Sequence, residues 1–323
     1  MRALAAICAA CISALVLPTV GSAQGYPNRH VTIINQTQAG SGPDVICRIV
    51  GERLAQLWGQ QIMVLNKPGA AGLMAAQTAA SAPADGYTLY MPTSTALVIL
   101  PEINTKIALD FERDFAPIGL VGESPMAIAA SAASQIGSLP ELIRAAKTKP
   151  GELLYAANSR GSTPHLAGEY LRAQAGIDLT FVPYPGAAGA LQDVLGGRVP
   201  IVIESLSALS GAAQDSSIKV LAFTSRNRLP EFSHIPTVSE TLAGFSLTGW
   251  FALLAPRGTP DAIIEKVGVD LRSVLAEPGL QRQLSALGVY ARPMSPADTA
   301  QFIRSERETW RPVIRKAGLA APQ

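Results

Sequence analysis

The feature that most constrains this chain is a strand, a glycine-rich turn and a helix in immediate succession near its start. Val31-Thr32-Ile33-Ile34 is an apolar run. Gln38-Ala39-Gly40-Ser41-Gly42-Pro43-Asp44 is the turn, and Ile46, Ile49, Val50, Leu54 and Leu57 carry a helical period. Gly40 and Gly42 permit backbone conformations and close approaches that a side chain forbids. Pro43 suits the first helical position, where its missing N–H costs nothing. The free N–H groups and the positive helix end then face whatever sits above the turn, which suits a carboxylate or phosphate. One such turn alone is more often a sharp connection with no ligand; recurrence gives it meaning.

The pattern does recur. Ile62-Met63-Val64-Leu65 is a second strand, Asn66-Lys67-Pro68-Gly69-Ala70-Ala71-Gly72 a second glycine-rich turn, and residues 73–82 the helix that Pro83 closes. Asp85-Gly86 turns into a third strand, Tyr87-Thr88-Leu89-Tyr90-Met91, followed by the polar turn Pro92-Thr93-Ser94-Thr95. In an open parallel sheet such loops gather outside the carboxyl ends of the strands, where ligands bind. Ile118-Gly119-Leu120-Val121 and Met126-Ala127-Ile128-Ala129 are expected to be strands on either side of a crossing into a second unit.

That unit repeats the design. Ser138-Leu139-Pro140-Glu141 has the form of a capping box. The strand Leu153-Leu154-Tyr155-Ala156 leads to Asn158-Ser159-Arg160-Gly161-Ser162-Thr163-Pro164-His165, with Thr163 expected as N-cap and Pro164 at the first helical position. Thr180-Phe181-Val182-Pro183-Tyr184 ends in Pro185-Gly186-Ala187-Ala188-Gly189 before another helix, and Ile201-Val202-Ile203 leads to Glu204-Ser205. Val220-Leu221-Ala222-Phe223-Thr224 is a further strand. Trp250-Phe251-Ala252-Leu253-Leu254-Ala255 follows a second crossing, and the helices opened by Thr259-Pro260-Asp261 and Ser295-Pro296-Ala297-Asp298 are expected to return to the first unit. Two crossings make a two-strand hinge between two α/β lobes. The expected division is 24–124 with 250–323 for lobe 1, and 125–249 for lobe 2.

Length and composition agree with this: 323 residues suggest about two domains, and 48% hydrophobic against 15% charged residues predicts a packed core. Arg2, the apolar residues 3–16 and Gly21-Ser22-Ala23 have the form of a secretory leader cut after residue 23, so residues 1–23 are expected to be a signal peptide. Cys8 and Cys11 leave with it. Cys47 then has no partner for a disulfide and is expected to pack as a small apolar residue. The formal charge of +2 becomes +1 on losing Arg2, and no basic cluster with interleaved aromatics marks a nucleic-acid partner. No later stretch is apolar for long enough to span a bilayer.

Walker, G-x-G-x-x-G, G-x-S-x-G and His-Glu-x-x-His motifs are missing from the sequence. Ser216-Ser217-Ile218-Lys219 matches S-x-x-K without its companion motifs and is expected to be a surface loop. His30, His165 and His234 show no ligand spacing, and no metal or cofactor is expected. His165 could hydrogen-bond a ligand or simply start a helix. Binding is what the residues support: backbone N–H groups with Ser41, Ser94, Thr95, Ser162 and Thr163 can hold a carboxylate without a full countercharge.

Taken together, Ala39-Gly40-Ser41-Gly42-Pro43-Asp44, Asn66 through Gly72, Ala84-Asp85-Gly86-Tyr87-Thr88-Leu89, His165-Leu166-Ala167-Gly168, Val182-Pro183-Tyr184-Pro185-Gly186, Leu195-Gly196-Gly197-Arg198-Val199, Ile235-Pro236-Thr237-Val238 and Trp250-Phe251-Ala252-Leu253-Leu254-Ala255-Pro256 run in the order of a known family. The chain resembles the Bug/TctC solute-binding proteins of tripartite tricarboxylate transporters. The resemblance implies a periplasmic-binding-protein-like, two-lobed fold in the periplasm that captures small carboxylates for inner-membrane permease subunits, as a monomer. It implies that one carboxylate is gripped by residues 39–44, 66–72 and Ser94-Thr95, so Ala39, Gly40, Ser41, Gly42, Asp44, Gly69, Ala70, Ala71, Gly72, Ser94 and Thr95 are candidates. The rest of the ligand would meet Asn158, Ser162, Thr163, His165, Tyr184, Gly186 and Glu204.

The sequence departs from the family at Asn35-Gln36-Thr37-Gln38, at Ser41 in place of a glycine, at Glu204-Ser205 in place of aspartate-asparagine, and at Pro200. Glu204 in the cleft would oppose a second carboxylate and favour an amine or hydroxyl; at a solvated strand end it would do neither. Two other functions stay open on the sequence. One is a hydrolase or lyase with Ser41 or Ser162 as nucleophile and His165 as its base. The other is a ligand-loaded partner for a sensor kinase rather than a permease.

Overall fold

The computed structural model describes residues 25–104 and 109–320. The leader expected over residues 1–23 lies outside the described residues. Among these, no helix is long and apolar enough to cross a membrane.

Among the described residues, ten strands form one curled, mixed sheet: β1 Val31–Asn35, β2 Ile62–Asn66, β3 Thr88–Met91, β4 Phe115–Ser131, β5 Leu154–Asn158, β6 Thr180–Tyr184, β7 Ile201–Ser205, β8 Ile218–Phe223, β9 Thr248–Pro256 and β10 Tyr290–Ala291. Their order is β2-β1-β3-β9-β4-β7-β5-β6, with β8 and β10 also paired to β4. β1 runs parallel to β2 and β3, and β5 runs parallel to β6 and β7. The helices are α1 Gly42–Trp58, α2 Leu73–Ala80, α3 Leu100–Ile103, α4 Phe111–Asp114, α5 Leu139–Thr148, α6 Thr163–Ala175, α7 Ala187–Leu195, α8 Leu206–Gln214, α9 Asp261–Leu275, α10 Pro278–Ala286 and α11 Pro296–Lys316.

The two strands expected around the first crossing are a single one. β4 runs unbroken for 17 residues. Its first part, Phe115 to Pro125, pairs antiparallel with β9. Its second part, from Met126, pairs with β7 and β8. Sequence periodicity missed this because Gly122-Glu123-Ser124-Pro125 carries turn-forming residues. Here they sit where the strand changes partners, and Glu123 to Pro125 are still paired with Trp250 to Thr248. β9 enters at the same place, so two adjacent strands connect the two parallel-stranded groups.

The core follows the two halves of the sheet. Ile33, Ile46, Val50, Leu89, Leu253 and Leu271 pack on one face of the first group. Ala129, Ala190, Val194, Val202 and Leu209 pack on the second. A third cluster joins them: Tyr90, Phe115 and Trp250 pack with Tyr155, Leu166 and Leu171. Cys47 is fully buried in the first cluster, as its apolar neighbours imply. α11 does more than return to the first group. It packs against α6 of the second as well, and its Glu306 accepts hydrogen bonds from Trp250 Nε1 (2.8 Å) and Trp310 Nε1 (3.2 Å).

Two helix starts are shifted by one residue. α1 begins at Gly42, which makes Pro43 its second residue. α6 begins at Thr163, and Ser162 rather than Thr163 is the cap, its Oγ accepting from the His165 N–H. At Ser138 the box is half formed: Oγ accepts from the Glu141 N–H, while the Glu141 carboxylate takes the Gly137 N–H.

Candidate functional site

The loops after β1, β2 and β3 and those after β5, β6 and β7 converge on one cavity of about 500 Å³ beside the crossing. From the first group come Gln36, Thr37, Gln38, Ser41, Gly42, Pro43, Pro68, Gly69, Gly72, Thr93, Ser94 and Thr95. From the second come Asn158, Ser159, Arg160, Ser162, Thr163, Pro164, Pro185, Gly186, Ala187, Glu204, Ser205, Ser207 and Ala208. Ser124, Met126, Gly249, Trp250 and Phe251 of the crossing strands make its floor.

Four helices of nine or more residues aim their first turns at this space: α1, α6, α7 and α8. Only α6 has a side-chain cap; Ser41, Gly186 and Ser205 at the starts of α1, α7 and α8 accept no such bond. Helix starts without caps leave N–H donors and a partial positive charge pointing at the cavity. Two of these starts nearly meet: a Cβ on Gly42 would lie 3.5 Å from Ser207 Oγ. The hydroxyls complete a bridge, with Thr163 Oγ1 3.2 Å from Ser94 Oγ and 3.0 Å from Thr95 Oγ1.

Several sequence candidates have their polar groups engaged elsewhere. Asp44 is buried beneath the turn and accepts from the Gly40 N–H (2.8 Å), Arg48 Nε (2.9 Å) and Asn66 Nδ2 (2.8 Å). Burial alone would raise its carboxyl, but these bonds outweigh burial and hold it down at about 2. Asp44 thus fastens the turn, and the Gly40 N–H is spent on it. Ala39 and Gly40 are exposed and lie outside the cavity wall, as does Ala70; Ala70 and Ala71 belong to the short 3-10 turn Ala70–Gly72. The Tyr184 hydroxyl donates to Asp193 (2.6 Å), away from the cavity.

His165, in the first turn of α6, is buried. Its Nδ1 accepts from the Gly161 N–H at 3.1 Å and its ring packs 4.1 Å from that of Phe181. Burial pushes its pKa down to about 4, with Glu169 opposing the shift, so the ring is neutral at pH 7. Ser162 Oγ meets the backbone of residue 165, not its imidazole. Ser41 Oγ donates to the Gln38 carbonyl (2.7 Å), so neither nucleophile of the hydrolase alternative is paired with the base.

Glu204 is not at a solvated strand end. It is 2% exposed and lines the cavity. Oε1 accepts from the Ser205 N–H at 2.8 Å, and Oε2 has no hydrogen-bond partner among the described residues. Burial pushes its pKa up to about 7, against the pull of the Ser205 bond.

Residues that the sequence did not single out also shape the wall. Gln36 donates to Thr93 Oγ1 (2.8 Å) and accepts from Tyr90 OH and the Thr93 N–H (both 3.3 Å), tying the first loop to the third. Gly72, at φ +102°, lets the loop pass: a Cβ there would sit 2.9 Å from the Gln36 amide. The polar run Asn35-Gln36-Thr37-Gln38 was the signal available for Gln36. Nothing local in sequence pointed to Ser124, Trp250 or Phe251, which arrive from strands distant along the chain.

A cavity between two parallel-stranded groups, walled by helix starts and spanned by two crossing strands, defines a solute-binding protein of the periplasmic-binding-protein fold. The chain belongs to the TctC family, the tripartite tricarboxylate transporter family receptors, whose model matches residues 46–319. It is 31% identical to the protein BugT of Bordetella pertussis over 92% of each chain. Two solved structures have the same fold. R. palustris Rpa4515 with adipate has a TM-score of 0.86 at 31% identity, covering 91% of this chain and 99% of that one. MatC from Rhodopseudomonas palustris with bound malate has a TM-score of 0.79 at 28% identity, covering 90% and 100%. The protein is thus a solute-binding receptor and not an enzyme.

Proposed function

We propose that this receptor captures a small carboxylate in the cleft cavity, in the periplasm, and hands it unchanged to the membrane subunits of a tripartite tricarboxylate-type permease. The observation that carries this is the meeting of four helix N-termini at one cavity, three of them without a side-chain cap. Among the described residues, Arg160 is the one cationic side chain lining the cavity, and it is exposed. Peptide dipoles and hydroxyls therefore do most of the anion binding. Each hydrogen bond to a charged group contributes about 1.5–3 kcal/mol, and a handful correspond to micromolar affinity or better. That relatives are solved with adipate and malate supports the ligand class.

In this reading Ser41, Gly42, Gly69, Gly72, Ser94 and Thr95 hold the carboxylate from the first lobe. Asn158, Ser162, Thr163, Gly186 and Glu204 read the remainder from the second. The lobes meet near residues 124–125 and 249–250, where both connecting strands pass, and they close on the ligand. Isothermal titration with mono-, di- and tricarboxylates, amino acids and aromatic acids tests the reading. At least one acid is expected to bind at micromolar concentration, with a fall in radius of gyration in solution scattering. Failure of every acid to bind would overturn it. Co-purification with the permease subunits, increased by the bound acid, tests delivery.

A further inference from the structure

Within that carboxylate-receptor reading, on which this inference rests, one corner of the cavity has the wrong polarity for an anion. Of the buried side-chain polar atoms left without a partner among the described residues, three line this cavity: Ser124 Oγ, Asn158 Oδ1 and Glu204 Oε2. They lie on three adjacent strands, in the order β4-β7-β5. Ala127 of β4 is opposite Glu204. Asn158 and Glu204 each lie two residues beyond the last β5–β7 pair, Ala156 with Val202, so their side chains leave the same face of the sheet. A carboxylate oxygen and an amide oxygen are thus neighbours, buried, and both accept.

We propose that Glu204 and Asn158 form an acceptor subsite that selects carboxylates carrying a hydrogen-bond donor, an ammonium before a hydroxyl, over unsubstituted acids. A buried acceptor left without a donor loses its hydration with no return. An ammonium supplies donors to both oxygens and a charge opposite to that of Glu204. A hydroxyl supplies one donor and no charge. A second carboxylate supplies neither, and meets Glu204 as a like charge unless a proton is taken up.

The surroundings leave Glu204 as the group that decides. Among the described residues, Arg160 is the other ionisable side chain in the cavity wall, and it is exposed. On α6, His165 is turned to Gly161 and Glu169 pairs with Arg172. On α7, Asp193 is held by Tyr184 and Arg198. On β8, Lys219 lies against the Glu141 and Gly137 region. β4 presents Met126 and Ser124 to the cavity, and α8 presents Ser207 and Ala208.

The test is calorimetric titration of the full mature chain with matched sets: succinate, malate and aspartate; butyrate, 4-hydroxybutyrate and 4-aminobutyrate. In at least one set the amino acid is expected to bind tightest, ten- to a hundredfold above the unsubstituted acid, with the hydroxy acid between. Its affinity rises with pH below about 7, by up to tenfold per unit, because binding favours ionised Glu204. Glu204→Gln should shrink the preference to less than threefold while the unsubstituted acid still binds. Asn158→Ala, which leaves Glu204 in place, should reduce it in part. If an unsubstituted acid binds tightest in both sets, or if Glu204→Gln leaves the preference intact, the subsite is wrong and the carboxylate reading stands. If no acid in any set or in the wider panel binds, the reading and the subsite fall together.

Discussion

Asp44 and Glu204 are two carboxylates, each buried at a strand-to-helix junction on its own side of the cleft, and they behave oppositely. Asp44 is closed: Arg48, Asn66 and the Gly40 N–H all donate to it, and it stays ionised to about pH 2. Glu204 is open: one bond from Ser205, one oxygen without a partner, and a pKa pushed up to about 7 by burial. A buried charge is tolerated when its hydrogen bonds are complete and shifts its protonation when they are not. The first carboxylate therefore builds the site and the second is left available to it.

The largest effect expected from this contrast is on stability. Asp44→Ala leaves Arg48, Asn66 and the Gly40 N–H without their shared acceptor. It should cost about 3 kcal/mol in urea denaturation, less than a fully buried pair because Arg48 is half exposed. Glu204→Asn or Gln should cost little or stabilise the ligand-free protein above pH 7. Equal losses at the two positions would erase the distinction.

Next in size is the pH dependence. Glu204 has a folded pKa above its unfolded value near 4.5, so the folded state holds the extra proton. Its contribution to stability falls as pH rises from about 4.5 to about 7, by up to roughly 3 kcal/mol. His165 is shifted the other way, to about 4, and its contribution rises between about pH 4 and 6.5. The two oppose each other in the wild type. Glu204→Gln should expose the His165 rise, so the difference between variant and wild type, read from denaturation at pH 4.5, 5.5, 6.5 and 7.5, grows with pH. A difference independent of pH would mean that folding leaves the Glu204 pKa where it is in the unfolded chain. Asp44, with its lowered pKa, loses its contribution only as pH falls from about 4 through 2.

Smaller again is the hydroxyl bridge. Thr163→Val removes the contacts to Ser94 and Thr95 and should cost about 1 kcal/mol while weakening acid binding. The smallest effect is expected at His165: its ring signals should show no titration between pH 6 and 8 in an NMR series, and acid affinity should show no inflection that His165→Gln removes.

Much of the scaffold was legible because it is local. The glycine-rich turns after β1 and β2, the polar turn after β3 and the Pro-marked helix starts at Pro43 and Pro164 depend on φ angles, missing N–H groups and short-range capping, all of which residue type reports directly. The one-residue shift from Thr163 to Ser162 shows the limit, since either hydroxyl can cap and the fold of residues 158–161 decides which does. β4 was illegible as one strand because its turn-forming residues are stabilised by pairing with β9, a partner more than a hundred residues away.

The sequence by itself determined most of the strand and helix segments, the helix starts at Pro43 and Pro164 to within a residue, and that uncapped starts of this kind suit an anion. Those properties belong to backbone geometry and nearest neighbours. Tertiary structure alone decided that Asp44 would be consumed beneath its own turn, that His165 would be walled off and neutral, and that Glu204, Asn158 and Ser124 would each bring a buried, unpartnered oxygen to one cavity. Burial and the count of hydrogen-bond partners set the state of a polar group, and both are fixed only when distant strands come together.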